Sequence, residues 1–172
     1  MAQNPRAVTM AKKDLLGDIR RQNNFVVNIE GVTTTGDNDL QLIIDRAFLP
    51  RVSNQVLELR HGNDSIKLAG VASWEGGEIS FHDVLSEAEL NAVMAWRAKV
   101  YDTKTGKIGL ASDYKKSGTV TELGPNGEYK RVWNLRGMWI SALDPGTLDS
   151  SSGELKKVTM TIQIDPTDNA DL

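Results

Sequence analysis

The sequence predicts a mainly β domain of the α+β class: an antiparallel sandwich or half-barrel with one helix against its side. Three observations lead there. Val158, Met160, Ile162 and Ile164 alternate with Thr159, Thr161, Gln163 and Asp165, the period-two pattern of a strand with one buried face. Upstream, Arg131 to Ile140 sets Trp133 and Trp139 in a β-branched and aromatic run that Gly137 interrupts, where a bulge or bend belongs. Turn-formers such as His61-Gly62-Asn63-Asp64 and Gly124-Pro125-Asn126-Gly127 punctuate short alternating runs, and one segment alone has strong helical character.

In chain order, residues 1–22 form an N-terminal arm. Val8, Ala11, Leu15 and Ile19 keep helical spacing there, but Gly17 weakens it, and a short helix or an extended arm fits equally. Phe25–Val32 and Leu40–Asp45 are strands joined by a polar turn. In Arg46–Gln55, Pro50 interrupts any ladder, yet Phe48, Leu49 and Val52 are apolar. Such a loop is either tucked onto its own core or spent on an inter-subunit contact. Val56–Arg60 and Ser65–Ala69 flank the first hairpin turn, and Glu78–Val84 is another strand.

The helix is expected over 86–101. Ser86 with Glu89 three residues on is a capping box. Leu90, Val93, Arg97 and Val100 form the inward stripe, with Met94 and Tyr101 beside it and Trp96 at its edge. Gly118–Leu123 leads through the Asn-Gly turn to the tryptophan strand. After a turn-rich loop, 158–165 closes the domain, spanning 23–165, and 166–172 is an acidic tail that frays. Leu90, Val93, Trp133, Trp139, Val158, Met160, Ile162 and Ile164 are the expected core. The tryptophans could instead form a sugar or nucleobase platform, but core filling is the expectation for large aromatics in a sandwich.

At 172 residues and 40% hydrophobic content, the chain supports one core and one domain. No stretch is long and apolar enough to cross a membrane, and the first residues lack the apolar core of an export signal. The chain has no cysteine, which fits assembly in a reducing cytoplasm. The net charge of −3 is uneven: residues 1–22 carry +3 and the remainder −6. The basic stretch, which includes Arg20 and Arg21, is either an incidental arm or one that settles on an acidic neighbouring subunit. An acidic body argues against general nucleic-acid binding.

Catalytic constellations are scarce. His61 and His82 are isolated, and no His-x-x-His or His-Glu-x-x-His spacing occurs. Gly106-Lys107 is followed by Ile108, not Ser or Thr, which excludes a P-loop. A calcium loop begun at Asp37 would place Phe48 at its twelfth position, where a glutamate is required. No nucleophile elbow appears. The expectation is a protein that is not an enzyme and uses no cofactor and no metal.

The order of a basic residue, Trp, Gly, Trp, a loop reading Pro145-Gly146-Thr147-Leu148-Asp149 followed by serines, and a final alternating strand resembles the C-terminal half of tail tube proteins of contractile-tailed bacteriophages. These are related in fold to the tubes of pyocins and other contractile injection machines. Matching segments occur at Phe48-Leu49-Pro50, Leu68-Ala69-Gly70, the helix after Phe81, and from Lys107-Ile108-Gly109 to Tyr114-Lys115-Lys116, so the resemblance covers most of 25–165. It implies a structural virion protein assembled in the host cytoplasm, with sheets joined edge to edge into hexameric rings that stack as a tail tube. Its implied partners are further copies of itself, a sheath protein, a tape-measure protein, and tube-terminating and baseplate proteins. DNA would pass through the lumen without specific binding, eased by an acidic lining. The resemblance also selects the contact reading for Phe48, Leu49, Pro50, Arg51 and Val52, with Arg20 and Arg21 assisting. A phage-like injection-system tube and a monomeric sandwich that binds a ligand are the alternatives.

Overall fold

Four side chains on alternate positions of one strand, Val158, Met160, Ile162 and Ile164, are buried together, and the domain is built outward from them. In a computed structural model, residues 23–32, 39–41, 44–85, 87–124, 126–151 and 153–167 are described. The strands are β1 (Phe25–Glu30), β2 (Asp39–Gln41), β3 (Ile44–Arg46), β4 (Arg51–His61), β5 (Asp64–Glu75), β6 (Gly77–His82), β7 (Tyr101–Asp102), β8 (Lys107–Ile108), β9 (Lys116–Leu123), β10 (Tyr129–Asp144) and β11 (Lys157–Asp165). Two helices, α1 (Ala88–Val100) and α2 (Ala111–Tyr114), complete the described elements.

Seven strands form one antiparallel system in the order β2-β1-β9-β10-β11-β6-β3. β10 holds it together. Its first part pairs with β9 as far as Met138, and its second part pairs with β11 from Arg136 onward. Both registers break around Gly137, whose φ of +59° lies in the left-handed region. The bulge read from sequence is therefore the point where one strand passes from one half of the sheet system to the other. The two ends of the strand order, β2 and β3, are separated by residues 42 and 43 alone, so one segment supplies both rims. Between the halves lie Ile29, Ile79, Phe81, Trp133, Leu135 and Met138, all buried. The Asn-Gly turn closes the β9–β10 hairpin as expected, with Gly127 at φ +79° and its amide donating to Gly124 O at 3.0 Å.

The helix differs from its sequence expectation in two respects. It begins at Ala88, and the cap position is Glu87 at φ 56°, without a side-chain cap hydrogen bond. Ser86 lies outside the described residues. The inward face is Ala92, Val93 and Trp96, so Trp96 is its centre and not its edge. Leu90, Arg97 and Val100 are half-buried, while Met94 and Tyr101 are exposed. The reason is chemical. An indole is the largest apolar body on this helix and also carries a donor that needs a partner when buried. Trp96 Nε1 finds one, donating to Tyr114 O at 2.7 Å, and the helix is rotated to deliver it. Trp96→Ala is expected to cost about 3–5 kcal/mol. Trp96→Phe, which keeps the ring but leaves Tyr114 O without this donor, is expected to cost about 1–3 kcal/mol. Urea denaturation measures both, and a midpoint for Trp96→Ala equal to wild type would contradict the packing.

Candidate assembly interface

β4 and β5 form a two-stranded sheet of their own. They turn at Gly62-Asn63, where Gly62 takes φ +64°. The 11 residues of β4, at about 3.3 Å each, give an arm roughly 35 Å long. A hairpin without a third strand or a helix behind it is marginal in water. This one also exposes apolar residues.

Cross-strand register shows which residues share a face. Leu57 pairs with Leu68 and Leu59 with Ile66, so the outer half of the arm has a face of four large aliphatic groups, each 48–58% exposed. The reverse of the same half holds Glu58 opposite Lys67 and Arg60 opposite Ser65. Nearer the body the pattern inverts. Ser53 and Ser73, with hydroxyls 3.0 Å apart, and the Arg51–Glu75 ion pair at 3.5 Å lie on the side that carries the leucines further out. Val52, Trp74 and Ala72 occupy the other side. The inversion coincides with a bulge between Asn54 and Val56, where Gly70 and Val71 oppose Gln55. A side chain at position 70 would press on Gln55 O and Leu57 Cγ, so glycine is needed there. The arm therefore presents an apolar surface on one side near its tip and on the opposite side near its base.

The base is held firmly. Trp74 packs against the core, Gly76 runs against the backbone of β11 at Ile162, and the Phe48 ring lies where a Gly77 side chain would be. The contact region read from sequence is divided between inward and outward side chains. Phe48 is half-buried against the core and Pro50 is buried, so these two fit the tucked alternative. Leu49 and Val52 are exposed, as is Arg51. Arg20 and Arg21 lie outside the described residues. The four tip residues were missed, although the alternation of Leu57 and Leu59 and the turn spacing contain them.

Trp133 is buried, with Nε1 donating to Glu122 Oε1 at 2.6 Å and the Arg131 guanidinium 5.4 Å from the ring centre. Trp139 is half-buried and meets Tyr114 edge-on at 6.1 Å. Neither indole is an exposed stacking platform. Many carboxylates are engaged locally: Asp45 with Lys157 at 3.0 Å, Asp83 with Lys156 and Asp165 with Lys115, both at 2.6 Å. The hydrogen bond from Lys157 holds the Asp45 carboxyl below its ordinary pKa. Asp102 and Asp149 are likewise lowered, first by the hydroxyls of Thr105 and Ser151 and then by backbone amides of their own turns. No group of three or more His, Cys, Asp or Glu side chains suited to a metal occurs among the described residues. None of the described helices is long and apolar enough to cross a membrane.

No protein-family model and no curated protein sequence matches the chain. Solved structures do match its fold, which is that of subunits from contractile injection systems. A chain from the sheath/tube terminator of the extracellular contractile injection system PVC, in its extended state, aligns with TM-score 0.63 and 16% identity over 88% of this chain and 96% of its own. A chain from the PVC sheath–tube complex aligns with TM-score 0.60 and 17% identity, over 90% and 93%. A chain from the baseplate of the anti-feeding prophage gives TM-score 0.61 at 12% identity, over 88% and 95%.

Proposed function

We propose that this chain is a structural, non-enzymatic subunit of a contractile tail, and that copies close into hexameric rings stacked as the inner tube. The observation that carries this reading is the β4–β5 arm, whose apolar face near the tip has no cover within the described chain, on a fold shared with tube and tube-terminator assemblies. The arm is the contact between successive copies. Leu57, Leu59, Ile66 and Leu68 are its anchor, and Leu49, Arg51 and Val52 contribute at its root. Edge pairing within a ring has backbone to use. β2 covers β1 at Asn28–Glu30 alone, and β3 covers β6 at Ser80 and Phe81 alone, leaving β1 from Phe25 to Val27 and β6 from Gly77 to Ile79 without a strand on that side among the described residues.

The assembled tube sits inside a sheath, holds a tape-measure protein, meets baseplate and terminating proteins at its ends, and conducts DNA in a virion. A second reading has a specific observation behind it. The matched structures are injection systems, so the conduit of a phage-like injection particle, or its terminating ring, fits the same architecture. Size-exclusion chromatography with negative-stain microscopy of the purified protein tests the shared core of both. Rings or tubes are expected, and a dispersed monomer at high concentration refutes the reading.

A further inference from the structure

Six large apolar side chains among the described residues are at least 70% exposed: Val71, Leu85, Ile108, Leu110, Leu148 and Leu155. Val71 belongs to the arm. The other five lie at the two ends of helix α1, which none of the contacts above involves.

Leu85 stands just before the N-terminal end. Leu155 is brought there because Lys156 is clasped to Asp83 twice: the Asp83 amide donates to Lys156 O at 3.0 Å, and Lys156 Nζ reaches Asp83 Oδ2 at 2.6 Å. Leu148 follows Gly146, whose backbone is pressed against Lys157 O. At the C-terminal end, Ile108 pairs with Tyr101 across β7–β8, the Gly109 amide donates to Val100 O at 3.1 Å, and Leu110 leads into α2. The 13 residues of α1, at about 1.5 Å each, make the helix between its two ends roughly 20 Å long.

Their charged surroundings have opposite sign. Around the first group lie Glu87, Glu89, Asp144, Asp149 and Glu154, set against Lys156 and Lys157, which are engaged by Asp83 and Asp45. Around the second lie Arg97, Lys99, Lys104 and Lys107, set against Asp102 and Asp113. The helix dipole accounts for acids at its start and bases at its end. It does not account for five exposed aliphatic groups, since apolar surface gains nothing from a dipole.

We propose that these two ends are the halves of one interface, and that the acidic, leucine-bearing end of α1 in one copy docks on the basic end of α1 in the next. Because the two surfaces differ, the contact is head-to-tail and propagates. Apolar groups ringed by complementary charge give it affinity and direction. It rests on the functional reading only in requiring many copies, and it uses no residue of the β4–β5 arm.

A chain without native cysteine permits a direct test in the full-length protein. Leu148→Cys and Ile108→Cys are introduced together and treated with a bis-maleimide shorter than the helix. Treatment at high dilution, where copies do not meet, controls for joining within one molecule. Head-to-tail docking gives a ladder of covalent multimers, while either single variant gives no more than dimers. In the doubly substituted protein, Asp144→Lys/Asp149→Lys or Lys104→Glu/Lys107→Glu should raise the concentration needed for the ladder by roughly tenfold or more, and combining both reversals should restore it. A product that stops at monomer or dimer while the wild type builds rings or tubes overturns this contact and leaves the tube reading standing. A wild type that never assembles refutes the tube reading, and a missing ladder then overturns this contact as well. Combined reversals no better than either alone also overturn it.

Discussion

Leu57→Asp/Leu59→Asp should give a subunit that folds normally and no longer assembles. Both side chains stand on the uncovered face of the arm, where they touch their cross-strand partners, so the folded monomer loses little packing. Exposed substitutions of this kind shift stability by about 0.5 kcal/mol or less. The interface loses far more. Each leucine contributes about 1.5–3 kcal/mol when buried, and a carboxylate in its place must be desolvated without a partner. A loss of about 3–6 kcal/mol corresponds to roughly 10²–10⁴ in affinity. Sedimentation velocity and thermal melting separate the two quantities. Tubes that form at wild-type concentration would remove the arm from the interface. Phe48→Asp is the instructive contrast. Its ring packs over Gly77 against the core, so that variant should lose stability first, and its failure to assemble would say little about contacts.

The second large effect is expected at Gly137. Gly137→Ala should destabilise the domain by roughly 2–5 kcal/mol, from left-handed backbone strain and steric overlap acting together. Its φ is +59°, and a Cβ there would overlap the Asp165 carboxylate. That carboxylate is held by Lys115 at 2.6 Å, so it cannot move aside without breaking the ion pair that fastens the end of β11. Gly127→Ala isolates the first contribution, because Gly127 has φ +79° and nothing within 4 Å of an added Cβ. It should cost only about 1–2 kcal/mol. Equal urea midpoints for the two variants would show that the crowding at Asp165 is unimportant.

What the sequence made legible follows from where each partner group lies. β11 was readable residue by residue because β10 and β6 pair along both its edges and its inward side chains join the chain's own core, and a single phase of alternation runs its whole length. Gly137 was readable because a lone glycine in a tryptophan-bearing strand has few other uses. The arm was only half-legible. Its strands are 11 and 12 residues long against the five residues each that sequence suggested, since the apolar face changes sides at the Gln55 bulge and no one alternation spans it. Phe48 was read as a contact residue because an apolar loop residue has the same appearance whether its cover is its own core or another molecule. Trp96 was put at the helix edge because weighing apolar residues alone ignores the hydrogen bond that fixed the rotation of α1.

A single polypeptide strand, β10, belongs to both halves of the sheet system. A force applied to one half therefore reaches the other along covalent bonds, and does not depend on a seam of side chains that could slide. Shear between the halves would have to unbend the backbone at its one sharp crossing, where a glycine and a tethered carboxylate leave no slack. Under axial strain, material made of such units should separate at joints between neighbours well before any unit stretches internally.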